Sequence, residues 1–337
     1  MVKVKRTALM LLGNNIAVMV LVLILVNVLF ASLNQNYFTF RNMMNVMYAT
    51  SIVGMLAIGL TYLMIAGHID LSCGAIAALS AIIVALVLRD TAIEAWPIAL
   101  LIALAVAFVF GVLNAVLVNV FLLQPFIATL AVSSICTGFS YILSNGRAIV
   151  ITNRQMIAIG IGRVFDVPIS AIVFVALCLL FGWILSRTVY GRSVYMIGGN
   201  KNAAQLAGMK PKKIASVLYI QCAMIASLAG FITAARMHSA MPGAVSGLEF
   251  NAITAAVLGG VAFSGGRGNM LGCFVGLLII QCFTNGLTTL GVNAFWQVVA
   301  QGALLIAALI FDFVRVKQIE PRIHMMHVDA DEKETSV

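Results

Sequence analysis

Apolar residues run along this chain in blocks of about twenty, each closed by a few polar or small residues. A helix that crosses bilayer hydrocarbon needs roughly 20 predominantly apolar residues, within a range of ~17–25. Read at that length, the pattern predicts ten spans, at 15–33, 47–66, 71–88, 96–122, 126–144, 168–186, 214–236, 250–263, 270–290 and 294–314. The eighth is short, and only a few residues separate the second from the third. Short or glycine-broken spans are expected where a transporter bends its helices around a pathway. The fold class that follows is an all-α polytopic membrane protein of about ten transmembrane helices, some short or broken. If one short segment is re-entrant, the count becomes eight or nine.

Ten crossings put both termini on one side. With both in the cytoplasm, residues 1–14 (Lys3, Lys5, Arg6), the loop 187–213, Arg267, and the tail 315–337 with Arg315 and Lys317 all lie inside. That distribution agrees with the excess of Lys and Arg in cytoplasmic segments. The outside then holds Arg41, Arg89, Arg147, Arg154, Arg163 and Arg236, partly balanced by Asp90, Glu94, Asp166 and Glu249. The first apolar run is longer than a normal leader core and has no small-residue cleavage site, so it reads as an uncleaved span. The acidic end DADEKETSV reads as a solvated tail.

The loop 187–213 is the main polar interruption of the transmembrane domain 15–314. It carries Arg187, Arg192, Lys201, Lys210, Lys212 and Lys213 and no acid. Within it, Asn200 can cap a short helix through Ala203, Ala204 and Leu206 that stops at Gly208. A short helix at the cytoplasmic face suggests a docking element for a soluble partner.

Composition sharpens the class by exclusion. Hydrophobic residues make up 62% of the chain and charged residues 9%, against about 45–50% and 25% in a soluble domain. The net charge of +9 comes from residues flanking spans rather than from a basic face, so no nucleic-acid partner is expected. Cys73, Cys136, Cys178, Cys222, Cys273 and Cys282 all fall in apolar segments without zinc or disulfide spacing, and read as small hydrophobes. There is no G-x-x-x-x-G-K-[ST] motif, so the chain is not expected to hydrolyse ATP itself. No histidine or cysteine grouping suggests a metal, and no cofactor or catalytic cluster is expected.

Ionisable groups near membrane depth reduce to Asp70, Arg267 and, less clearly, Glu249 and Asp312. A charge at mid-span costs about 2.5–3.5 kcal/mol on insertion scales, so ion-coupled carriers keep theirs for a purpose. This chain lacks a series of them. Asp70 and Arg267 occupy two similar glycine-rich breaks, IAGHIDLSCGAIAAL from Ile65 and FSGGRGNMLGCFVGLL from Phe263. They could pair across the bundle, although separate solvation in two turns explains them as well. A shared need for tight turns likewise accounts for the echo as readily as a repeat does. Gly259, Gly260, Gly265, Gly266 and Gly268 are too dense for a stable helix interior and mark a pliable break or a tight turn. Neutral polar residues, among them Asn114, Asn119, Thr129, Gln221, Thr254 and Asn285, suit helix-to-helix hydrogen bonds first and a pathway for an uncharged polar solute second.

Four stretches carry a resemblance. AGHIDLSCGAIAALSA (66–81), LNAVLVNVFLLQPFIATLA (113–131), TVYGRSVYMIGGNKNAAQLAGM (188–209) and AAVLGGVAFSGGRGNMLG (255–272) occur in order, followed by NGLTTLGVNAFWQ (285–297). The chain resembles the permease subunits of bacterial ATP-binding-cassette sugar importers of the ribose/xylose/galactose type, with His68, Cys73, Ala115 and Ala131 as departures. The resemblance implies a multi-pass protein of the bacterial inner membrane, paired with a second copy or a sister permease. It also implies two cytoplasmic ATPase domains, and a solute-binding protein outside that meets the loop 145–167. It assigns ATPase coupling to Gly199, Asn200, Ala203, Ala204 and Gly208, so a bulky charge at Ala204 is expected to abolish uptake. Asp70, Asn114, Thr129, Gly259, Gly260, Gly265, Gly266 and Arg267 are the candidates for pathway or structural break. A related permease for branched-chain amino acids or nucleosides, and a stand-alone ion-coupled carrier, are the alternatives.

Overall fold

The computed structural model describes residues 15–91 and 95–314. Readings made on residues 1–14, Glu94 and 315–337, and on the Asp312 side chain, lie outside the described residues. In chain order the elements are α1 (Asn15–Leu33), α2 (Phe40–Ile65), α3 (Cys73–Asp90), α4 (Trp96–Asn119), α5 (Pro125–Ser144), β1 (Ile149–Val150) and α6 (Arg154–Ile161). Then come β2 (Arg163–Val164), β3 (Val167–Pro168), α7 (Ile169–Arg187), α8 (Val189–Gly199), α9 (Lys201–Leu206), α10 (Pro211–Met237), β4 (Ser239–Ala240), α11 (Leu248–Leu258), α12 (Met270–Thr289) and α13 (Ala294–Val314).

Among the described residues, 8 helices are long and apolar enough to cross a membrane: α1 to α5, α7, α10 and α12. Two further apolar helices are shorter by that measure, α11 and the 294–310 part of α13. The predicted spans and the helices coincide to within about three residues except at two ends, the start of α2 and the finish of α11. α2 begins at Phe40 rather than 47, because Thr39 caps it with its hydroxyl on the Asn42 amide (3.4 Å), so the polar FRNMMN stretch is already helical. α11 stops at Leu258 rather than 263, because Gly259 follows it and Gly260 takes φ +80°. α3 starts only at Cys73, leaving 66–72 as an irregular break.

α2 is buried along nearly all of its apolar length, and α10 and α3 over most of theirs, while only a minority of α1, α5 and α7 is buried. α10 lies against α2, α3 and α4 at the centre of the bundle. Small residues make this close approach possible. Gly59 of α2 faces the Cys222 backbone, Gly111 of α4 faces Ile220, and Gly230 of α10 faces the Ala77 carbonyl so closely that a Cβ would collide with it. The little sheet structure present sits in the loops. β1 pairs antiparallel with β4 (Ile149 with Ala240) and β2 with β3 (Arg163 with Pro168). All six cysteines are free, and all but Cys178 are buried.

Candidate functional site

Two places in the bundle interrupt helices with buried or close-packed backbone: the break 66–72 between α2 and α3, and the break 259–269 between α11 and α12. In the first, Asp70 is fully buried. Its Oδ1 accepts the Ser72 amide (2.8 Å) and the Ser72 hydroxyl (2.5 Å). Asn114 of α4 donates its Nδ2 to that same hydroxyl (2.7 Å), and Thr129 of α5 accepts the Leu71 amide on its Oγ1 (3.1 Å). Tyr219 of α10 donates to the Ile69 carbonyl (3.4 Å) and lies 3.3 Å from His68 Nδ1. The break thus collects polar side chains from α4, α5 and α10 around one stretch of non-helical backbone, which is tolerated at depth only when buried in protein or lining a water-filled cavity.

Asp70, Asn114 and Thr129, chosen from the sequence by residue type, are therefore brought together. Ser72, which links Asp70 to Asn114, was not singled out, and Thr129 joins the group one residue away, through the Leu71 amide. Asp70 Oδ2 and Asn114 Oδ1 are buried without a hydrogen-bond partner. Asp70 is tied to Ser72 and not to Arg267, whose side chain is exposed in the second break. Neither sequence reading of Asp70 survives, since it is neither paired with that arginine nor solvated. Glu249, too, is buried rather than solvent-facing. It is 8% exposed, because its carboxylate turns in over Gly74 of α3 and accepts the Gly247 amide (3.0 Å). Gly74 leaves room for that carboxylate, which a Cβ there would meet.

The second constellation is built from backbone. The predicted short helix exists as α9: Asn200 Oδ1 accepts the Ala203 amide (2.9 Å), and the helix ends before Gly208 at φ +82°. It is preceded by α8, which sequence reasoning read as loop. Thr188 caps α8 by accepting the Gly191 amide (3.1 Å). α8 ends in Gly198 and Gly199, and these meet both breaks at once. The Gly266 amide donates to the Ile65 carbonyl (2.8 Å), and a Cβ on Gly198 would collide with that same oxygen. A Cβ on Gly265 would stand 2.9 Å from the Gly198 carbonyl oxygen and from Gly67 Cα, and one on Gly266 would stand 2.8 Å from Gly199 Cα. Gly265 and Gly266 also take φ +88° and +77°, a region that side-chain-bearing residues avoid. Tyr195 of α8 donates to the Gly268 carbonyl (2.7 Å) and ties the helix to the second break again.

Of the other predicted glycines, Gly259 packs against the first turn of α12, with its would-be Cβ 2.6 Å from the Cys273 amide nitrogen, and Gly260 forms the turn that follows. They stand apart from the 198/265/266 junction. On α9, Ala204 is 2% exposed and faces the protein, whereas Leu206 is 90% exposed. Ala204 therefore seats the helix, and a docking partner would meet Leu206 and its exposed neighbours Ala203 and Gln205. Many of the neutral polar residues bond across helices or within them: Asn119 with Ser216, Gln221 with Tyr190, Asn285 with Asn42, and Thr254 with the Phe250 carbonyl.

The segment 145–167 is built of short elements. α6 lies along α10, with Gly160 against the Ala235–Arg236 backbone, and the β2–β3 hairpin carries Phe165 at its tip, 96% exposed. Arg236 stacks over the Tyr48 ring at 3.1 Å.

Residues 42–309 match the family described as branched-chain amino acid transport system, permease component. The chain is 34% identical over 303 residues to the ribose import permease protein RbsC of Bacillus subtilis, covering 89% of this chain and 92% of that protein. It is 34% identical to RbsC of Escherichia coli K12 over 88% of this chain and 92% of that one. To the L-arabinose transport system permease protein AraH of Escherichia coli K12 it is 33% identical, covering 84% and 85%. No solved structure matches the chain. With these relatives and its apolar helices, the protein is a multi-pass protein of the bacterial inner membrane. A bundle with broken helices, a buried polar group in one break and a protruding capped helix, matched along most of its length to import permeases, belongs to this family of transport-system permease components.

Proposed function

We propose that this chain is the transmembrane subunit of an ATP-driven importer that moves a sugar or sugar-like polar solute from an external binding protein into the cytoplasm. The observation that carries the reading is the glycine junction. The capped, protruding helix α9 is continuous with Gly198 and Gly199, and these pack backbone to backbone on Ile65, Gly67, Gly265 and Gly266. Displacing α9 therefore displaces both breaks, and the first break leads within a few residues to the buried group Asp70, Ser72, Asn114 and Thr129. A rigid short element can transmit motion from a soluble motor only if it is fastened to what must move.

In this reading α9, with its flanks Gly199 and Gly208, seats on a separate cytoplasmic ATPase subunit. Leu206, 90% exposed, is the apolar contact. α11 and α13 complete ten crossings, and both termini lie on the side of α9. The segment 145–167 with its exposed Phe165 receives the binding protein, and the chain works as a pair with a second copy or a sister permease. The ribose and arabinose permeases to which it is similar support a pentose or related polyol as solute.

The test begins with affinity purification from native membranes in mild detergent, followed by reconstitution with whatever ATPase and binding protein come along. ATP-dependent uptake of labelled pentose or another monosaccharide is expected, with labelled leucine as the competing substrate. Uptake of leucine alone would transfer the assignment to amino acids. Solute movement by the isolated chain without ATP would replace the importer by an ion-coupled carrier.

A further inference from the structure

A cavity of about 490 Å³ opens on the outer surface of the bundle between α1, α7 and α12. Its walls are apolar. Val175, Leu179 and Trp183 come from α7, Leu271 and Phe274 from α12, and Ile16 from the start of α1. It faces away from the core, since Leu179, Trp183 and Leu271 are 69%, 59% and 65% exposed. α1 does not close it, because α1 touches the rest of the protein chiefly through α12, where Met19 and Leu23 pack on Val275 and Ile279.

The two ends of the cavity differ. Away from α8 it is apolar, with the Cys178 thiol among aliphatic and aromatic side chains. Toward α8 its rim turns polar at Ser186 and at Asn269, the cap residue of α12. The wall residues of α7 follow the helical repeat, 175, 178, 179, 182, 183 and 186. The next position on that stripe, one turn beyond Trp183, is Arg187, which is exposed. The positive end of the 20-residue helix α12 starts at the same rim. A long apolar slot, open sideways in a membrane-embedded surface, with a cation and a helix N-terminus at one end, has the polarity of a phospholipid: acyl chain in the slot, phosphate at the rim.

We infer that this groove is a specific site for one acyl chain of an anionic phospholipid whose phosphate lies at Arg187 and the start of α12. The volume is that of a single acyl chain rather than of a helix, so a second copy of the protein does not fit in it. Gly182 forms part of the floor, and a Cβ there would meet only Met270 at 3.4 Å, so the slot can be filled from α7 without disturbing the bundle.

The experiment reconstitutes the intact protein, with any partner subunits it retains, in bilayers doped with phosphatidylglycerol bearing a photoactivatable acyl chain. Cross-linked peptides are then mapped by mass spectrometry. Labelling concentrated on 175–186 and 269–274 is expected, well above that on the exposed face of α5, and phosphatidylcholine carrying the same chain should label the groove less. Gly182→Leu should lower groove labelling several-fold while leaving α5 labelling unchanged, which reports that the bundle is intact. Arg187→Gln should remove the preference for phosphatidylglycerol over phosphatidylcholine. Labelling spread evenly over all exposed helices, or groove labelling unmoved by Gly182→Leu, would overturn the site. Exclusion of lipid from the groove with cross-links between copies would overturn it as well and make the face a protein interface.

Discussion

Gly198 has no room for a side chain, because the Ile65 carbonyl occupies the space a Cβ would need and accepts the Gly266 amide from the other break. Overpacking of this kind typically costs about 1–3 kcal/mol. Gly198→Ala is therefore expected to leave the protein inserted and monodisperse but to separate α9 from the breaks. Uptake should be lost while ATP hydrolysis by the reconstituted complex continues, which parallel uptake and phosphate-release assays would detect. The two exposed and buried faces of α9 give a second contrast. Leu206→Glu changes a side chain that is 90% exposed, so it should abolish ATPase co-purification with little effect on thermal stability. Ala204, at 2% exposure, is the wrong probe for docking, because a charge there would be buried unpaired and would unseat the helix itself. Retention of the ATPase by the Leu206 variant would remove the docking role from this face.

At the scale of elements, the apolar runs located helices well because length and hydropathy suffice to specify a span. They failed where local backbone chemistry decides. The amphipathic, four-turn-or-shorter pieces α8 and α6 carry too few apolar residues to stand out, and Thr188 and Asn153 define them only as caps. The polar group in the first break was legible by residue type, since Asp70, Asn114 and Thr129 are costly at depth. Its wiring was not, because it runs through Ser72, an unremarkable serine until the chain folds, and through the Leu71 backbone amide. The convergence of the two glycine breaks was equally hidden, being a contact between backbones nearly two hundred residues apart. Helix pairing also has its own polar fastening. Asn42 of α2 and Asn285 of α12 exchange amide hydrogen bonds at 2.7 and 3.0 Å. Such bonds in membranes are worth about 0.6–2 kcal/mol. Asn285→Ala should lower unfolding stability in detergent by that amount. The Asn42→Ala/Asn285→Ala double variant should lose less than the sum of the single losses. Simple additivity would mean the pair does not interact.

For the whole molecule, the two ends of the bundle carry different surfaces. One end bears α8 and α9 with their basic flanks, and the other bears α6 and the β2–β3 hairpin with Phe165, 96% exposed, beside Arg163. A lone aromatic at a hairpin tip suits a partner's pocket. Phe165→Ser is expected to reduce stimulation of ATP hydrolysis by the binding protein without changing the unstimulated rate, and equal stimulation of both forms would exclude the hairpin from docking.

α10 joins these ends. At its finish β4 pairs with β1, and the Ile151 amide reaches the His238 carbonyl (2.9 Å), so the segment that carries α6 and the hairpin is stitched to the helix that ends at Met237. At its start, the Met209 amide bonds the Ala204 carbonyl (3.1 Å) and the chain passes directly from α9 into Pro211. One continuous 27-residue helix thus carries a fixture at each tip. If α9 meets the ATPase and the hairpin the binding protein, as proposed, sensing at one end and drive at the other share a single shaft. On the docking proposed above no gearing lies between them, so along this route arrival of cargo and the power stroke would be two readings of the same displacement.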